Sequence, residues 1–474
     1  MRQWGSSLDH NGMSMFLATV PVATEFYHGT SSEYRVNDTE WLAFEPEHAL
    51  VFANCHGPEK GDKGHPPSPP PSSEDRLQED NPSNVEQDNR FVIQGGGKSG
   101  VHTFGRESPA NVDELCRGYL HTYRTRKELR LLYLDGQSAA KSDKGTLDVQ
   151  DMILRDPGLE VGFLPESRRP GGPPSEQLRA IELCHRAEKE WAGKIDGILR
   201  MEAGFEVILC SFKDNLDLVG IKQELPRPRN PGEQLNYYQA VAARFDGVGG
   251  HRVSLDYNSF ISVYAYANAT AIDHTGLPRV VNETSKISRI RSDVTEMLTR
   301  SRSSAMDSID WQAITDMIVA RYAHRIASLA STSTATSTFD ALHAGLDRAL
   351  RPFIDYRNRN ATEEVTRCAN QHLSPEAIAS NSTAAIAVKT TYTQICQSLS
   401  DALLAETFEE AVPLIRSLKT WLAWSIWKRC VGCQLDEVCM VPIWPWGSKQ
   451  DHESPSCSNM TGVPNNDHWG PPRG

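Results

Sequence analysis

A chain of 474 residues exceeds what one hydrophobic core usually serves, so its length predicts two domains. Its net charge of −12 argues against a nucleic-acid partner, which needs a basic stripe, and no segment approaches the ~20 apolar residues that span a bilayer. A hydrophobic share of 39% and a mean hydropathy of −0.47 suit a soluble protein that carries some disordered segments.

The ten cysteines divide into two even sets. Cys55, Cys116, Cys184 and Cys210 lie in the first half; Cys368, Cys396, Cys430, Cys433, Cys439 and Cys457 lie near the end. Each set can pair within itself. Asn-x-Ser/Thr sequons occur at Asn37, Asn268, Asn282, Asn360, Asn381 and Asn459, roughly twice the chance number. Together these predict a secreted, extracellular glycoprotein. The apolar run Met13 to Val22 is too short and too poorly flanked for a signal peptide, so a leader is expected to be missing from this N-terminus.

In chain order, residues 13–55 read as strand, turn, strand and helix. The stretch Thr24 to Thr30 ends a strand at His28-Gly29, and Pro46 opens the helix at its first position. Residues 56–100 are proline-rich, acidic and nearly free of large apolar residues, which predicts a disordered insertion inside the first domain. Gly95 to Ser99 imitates a phosphate loop, but the required first glycine falls on Val92. Strand patterns resume at Gly118 to Tyr123 and Leu129 to Leu134.

A helix follows over 176–200, with Leu178, Ile181, Cys184, Ala187, Trp191 and Ile195 at 3–4 spacing. It runs into the apolar strand Phe205 to Leu209. There Glu206, Ile208 and Cys210 share one face, and a lone carboxylate between apolar faces points to a pocket. The proline- and arginine-rich segment around 221–236 serves as linker. Beyond it, Val253 to Phe260 alternates like a strand, and 285–430 is mostly helical. The tryptophans Trp421, Trp424 and Trp427 of the last helix are expected in its core-facing stripe. The domains are thus 13–220, a linker at 221–236, a helical cysteine-containing domain at 237–447 and a loose tail at 448–474.

Tyr27-His28-Gly29-Thr30, then Glu45-Pro46-Glu47-His48-Ala49-Leu50-Val51-Phe52-Ala53, Tyr119 to Leu134, Asp196-Gly197-Ile198 and Glu206-Val207-Ile208 occur in that order. In this the N-terminal half resembles the ADP-ribosyltransferase fold over roughly residues 18–215. The resemblance implies an α+β fold, with a split β-sheet domain ahead of a mainly α-helical one. It implies NAD as substrate and an unknown acceptor as partner. It makes Tyr27, His28, Gly29 and Thr30 the cofactor-binding strand and Glu206 the catalytic carboxylate favouring an oxocarbenium-like transition state. The tyrosine that stacks on nicotinamide is absent, leaving Trp41 or Phe44. Gly204 stands where arginine-modifying members carry a second Glu or Gln. The whole chain also resembles secreted proteins of filamentous fungi, through Leu134 to Lys141, Met201 to Glu206 and Cys430 to Trp446.

Three other readings compete. Gly136-Gln137-Ser138 after a strand loosely matches a nucleophile elbow, although the helix that should follow is poor. Cys430, Cys433 and Cys439, with His452 or Cys457, could hold zinc, but disulfides are expected there. The third is a non-enzymatic glycoprotein or binding module built on the same fold.

Overall fold

The computed structural model describes residues 7–53, 118–142, 144–155, 176–224, 231–243, 247–250, 252–300, 309–331 and 338–461. The insertion expected at 56–100, with its glycine-rich turn, and Cys55 and Cys116 lie outside them.

The chain is α+β, with a sheet first and helices after. β1 (Ser14–Val20), β2 (Glu25–Thr30) and β3 (Glu40–Ala43) lead into helix α1 (Pro46–Leu50). β4 (Gly118–Thr125), β5 (Leu129–Leu134), α2 (Glu176–Lys189), β6 (Gly197–Met201), β7 (Phe205–Leu209), β8 (Leu216–Glu224) and α3 (Pro231–Tyr238) follow. The strands form one continuous sheet with order β1-β5-β6-β7-β3-β2-β4-β8, and two further short strands join it outside β1. Among the described strands its pairs are antiparallel except β5 with β6, the pair whose connection carries α2. Its outer members are β9 (Ser254–Leu255) and β10 (Ile261–Ser262), both paired with β1. The sheet therefore draws strands from beyond the linker expected at 221–236. Residues 221–224 of that segment belong to β8, paired with β4.

Strict alternation sorts the side chains into two cores. On the first face Met15, Leu17, Leu132, Leu134, Ile198 and Ile208 meet Leu183 and Ala187 of α2. Ile290 and Val294 of α4 (Thr284–Thr299) join them. On the second face Phe16, Phe26, Leu42, Tyr123, Leu131, Leu199 and Val207 form one cluster, so strands distant in the order meet as the sheet curls. A hairpin of β11 (Thr270–Ile272) and β12 (Pro278–Val280) precedes α4.

The helical bundle has its own core. Helices α5 (Trp311–Ala330), α6 (Phe339–Leu350), α7 (Ala361–Asn370), α8 (Thr383–Leu404) and α9 (Phe408–Leu422) bury Tyr322, Leu346, Cys368, Tyr392, Ile395 and Ile415 together. Helix α9 stops earlier than the pattern to Cys430 predicts, because Ala423 turns left-handed at φ 42°. Trp424 and Trp427 pack against this core from a short turn, while Trp421 is exposed.

Residues 430–460 return to the sheet domain. Cys430–Cys439 and Cys433–Cys457 close this segment, and β13 (Val438–Met440) pairs with β14 (Ser456–Ser458). The expected loose tail is therefore structured as far as residue 461. Val438, Met440 and Ile443 pack against Tyr237, Tyr238 and Val241. Gln137 donates to the Pro442 carbonyl at 2.8 Å, and His10 meets His452 at a centroid distance of 5.6 Å.

Disulfide Cys184–Cys210 ties α2 to the end of β7 across a separation of 26 residues. Loop-closure entropy predicts that replacing both cysteines by alanine costs about 3 kcal/mol. A denaturant midpoint unchanged by the double substitution would show that the cross-link carries no such weight.

Candidate acid–base site

Glu206 is the second residue of β7, opposite Ala43 of β3, which in turn opposes Tyr27 of β2. Directly opposed residues share a face, so Tyr27, Ala43 and Glu206 form one row on the first face. His28 is the next residue along β2 and points to the second face, where its ring lies 5.8 Å from that of Phe212. The two residues that the ADP-ribosyltransferase resemblance puts in one cleft are thus on opposite sides of the sheet.

The other residues of that set are similarly engaged. His28 is 8% exposed; its Nδ1 lies 2.7 Å from the Trp41 carbonyl, and burial lowers its pKa to about 4. As a neutral ring it donates that proton to the carbonyl. A Cβ on Gly29 would stand 1.9 Å from the Ala49 carbonyl oxygen, so α1 covers the backbone that was to clamp a carboxamide. Thr30 accepts from the Ser32 amide at 3.2 Å. Phe44 is a core residue at 4.6 Å from Phe26, on the opposite face from Glu206. Trp41 packs against the first core beneath α2.

Glu206 itself anchors a buried charged cluster. Its Oε1 accepts from Arg200 Nε at 2.8 Å across the β6–β7 pair. Arg200, 1% exposed, gives its other nitrogens to Gln150 at 2.9 Å and Glu176 at 2.5 Å. Burial would raise the Glu206 pKa, but Arg200, with His48 and Lys141, reverses this and holds it near about 2. Helix α1 supplies His48, whose Nε2 lies 3.8 Å from Glu206 Oε2, an electrostatic approach beyond hydrogen-bond length. The His48 Nδ1 meets the Tyr237 hydroxyl of α3 at 2.7 Å.

Two further carboxylates behave in the opposite sense. Glu45, the residue before α1, is 2% exposed, and burial pushes its pKa up to about 7 despite His48 and Arg252. Neither of its oxygens accepts a hydrogen bond from a described residue, though Arg252 approaches Oε1 at 3.5 Å. Burial also raises Glu202, against the pull of Lys141 at 2.7 Å. Residue 204 is glycine where the chain passes close to both groups: a Cβ there would stand 3.2 Å from the His48 ring and 3.5 Å from Glu45 Oε2. The cluster reaches solvent at Lys141 and Glu176, whose side chains keep 26% and 23% exposure. Trp444 of the returning C-terminal segment covers Lys141 at 5.2 Å.

Sequence reasoning singled out Glu206 and missed its partners. Arg200 carried a legible signal, a charge inside the apolar run Ile198 to Met201. Glu45 and His48 stood inside a quoted motif but were read only as a helix start. Ser138 of the possible nucleophile elbow is buried and donates to the Leu134 carbonyl at 2.9 Å.

Glu45 has a raised pKa in the folded chain, so the native state holds a proton that the unfolded state releases near about 4.3. Its contribution to stability is full below that value and is lost as pH rises to about 7. Glu45→Gln should therefore flatten the fall in denaturant midpoint over this range. An equally steep fall in the variant would remove Glu45 as the source.

A family model described as the YPL277C N-terminal domain matches residues 1–230. Two proteins of Saccharomyces cerevisiae are similar to about half of this chain. "Uncharacterized protein YOR389W" is 33% identical over 229 residues, covering 47% of this chain and 31% of that protein. "Uncharacterized protein YPL277C" is 33% identical over 230 residues, covering 47% of this chain and 40% of that protein. The chain thus spans less than half the length of either relative. No solved structure matches. The stretch matched by the family model spans the positions of Glu45, His48, Lys141, Arg200, Glu202 and Glu206, and stops short of Tyr237.

Proposed function

We propose that the sheet domain cleaves, or transfers across, a glycosidic bond to a sugar, with NAD among the candidate substrates. The observation that carries this is a pair of buried carboxylates, both near His48, whose surroundings drive their pKa values apart. Glu45 holds a proton near neutral pH, and Glu206 stays ionised. Such a division of roles is what glycosidic cleavage needs. Glu45 would give its proton to the leaving group, and the Glu206 carboxylate would face the positive charge developing at the anomeric carbon. His48, held by Tyr237, would keep the two in register. Glu45 Oε2 and His48 Nε2 make no hydrogen bond with a described residue, which supports the reading, because buried polar atoms with hydrogen-bonding capacity left over suit a site completed by substrate or water. His28 and Gly29 have no part in it.

A second reading keeps the cluster and drops the chemistry. Each nitrogen of the Arg200 guanidinium has an acceptor, as in a structural clasp, which favours a binding module built on the same sheet. We further propose an oxidising, extracellular setting. Four disulfides among the described residues and the exposure of all six sequon asparagines support it.

The test measures nicotinamide release from NAD and nitrophenol release from aryl glycosides, beside Glu206→Gln and Glu45→Gln. Glu206→Gln should lower either activity by about 10²–10⁴-fold. Nicotinamide and nitrophenol both depart without needing a proton, so Glu45→Gln should spare both and should impair cleavage of an alkyl glycoside measured beside them. No turnover by well-folded wild type, with Glu206→Gln losing several kcal/mol of stability, would leave the clasp reading standing.

A further inference from the structure

The helical bundle carries a groove of about 500 Å³ that none of the chemistry above uses. Helix α5 lines it with Met317, Ala320, Arg321, His324 and Arg325, and His372 closes it from the end of α7. The α5 residues recur at i, i+3, i+4, i+7 and i+8, one face of a helix whose opposite face fills the bundle core. We propose that this groove binds an organic phosphate of nucleotide or sugar-phosphate size.

Charge is the first argument. The chain carries a net −12, yet two arginines and two histidines line one groove. Neither Arg321, His324 nor Arg325 forms an ion pair with a described residue. The acids of the neighbouring α7 are already engaged: Glu363 pairs with Arg367 and Glu364 with Arg359. Arg321 and Arg325, permanent charges one helical turn apart without counter-charges, repel one another, and an anion relieves that repulsion.

Preorganisation is the second argument. The Arg321 guanidinium sits 5.6 Å from the rings of both Tyr322 and Phe353, so aromatic faces hold it in place. Its buried Nε has no hydrogen-bond partner. The His372 ring stacks on Tyr392 at 6.1 Å and an interplanar angle of 18°. A fixed guanidinium with a free donor suits the oxygens of phosphate, and Arg325 lies one helical turn away. Met317 and Ala320 offer an apolar wall for the carbon body, and the volume falls in the range of small-molecule sites.

Calorimetric titration of the full chain with inorganic pyrophosphate, AMP and adenosine tests the assignment. Pyrophosphate and AMP should bind, adenosine should not, and Arg321→Ala with Arg325→Ala should weaken binding by at least ~10-fold. Arg321 also touches the core, so His324→Glu with Arg325→Glu, at two exposed positions, provides a variant that leaves packing alone. It should abolish binding at an unchanged melting temperature. The proposal is overturned if wild type binds neither phosphate. It is overturned equally if sodium chloride at matched ionic strength mimics them, if the exposed-site variant binds as well as wild type, or if poly-glutamate binds more tightly than AMP.

Discussion

Arg200 is a permanent positive charge held at 1% exposure between two strands of a central sheet. An unpaired guanidinium there would cost several kcal/mol, so its surroundings are dictated by the need to satisfy it. Glu206 answers from the adjacent strand, Gln150 from a short helical segment, and Glu176 from the start of α2. Glu176 in turn meets Arg179, which meets Asp151; Asp151 and Glu182 both meet Arg155. One buried cation thus propagates an alternating set of charges that fastens α2 and residues 149–155 to the first face of the sheet. Arg200 keeps Glu206 low, whereas burial is what raises Glu45 and Glu202, with the Glu206 charge adding to the rise at Glu202.

Much of the architecture was legible from local pattern. The strands around His28, Leu131 and Val207 are where hydrophobic periodicity put them, but the helix expected over 176–200 ends at Lys189, and residues 197–201 form the buried strand β6 because both of its faces are covered. The lone carboxylate in an apolar strand did signal an internal polar site. What periodicity could not supply was which face met which partner. The separation of His28 from Glu206 follows from the pairing of Tyr27 with Ala43 and of Ala43 with Glu206, a non-local register that a list of motifs in order does not contain. The return of β9 and β10 to β1 was hidden for the same reason. Two-residue strands leave almost no alternation to read, and they exist because β1 offers an edge to pair with.

The cysteines show where local reading met long-range structure. Even counts in each half correctly suggested pairing within halves for those described, and Cys430, Cys433, Cys439 and Cys457 are disulfide-bonded rather than free to hold zinc. The physical role of the C-terminal pair was not visible in spacing. It stiffens a segment rich in aromatic residues, which then packs over Tyr237 and Lys141 beside the charged cluster.

That returning segment changes how the molecule is built. Residues 311–422 leave the sheet domain and rejoin it, since His10, Gln137 and Tyr238 grip residues 441–452 near the other end of the described chain. The bundle is therefore an excursion from one body, attached at two points, instead of a pendant on a single tether. A nick within its connecting turns would leave both fragments clasped together. The groove on α5 and the carboxylates around Glu206 then stay in fixed one-to-one proportion even after the backbone between them is cut.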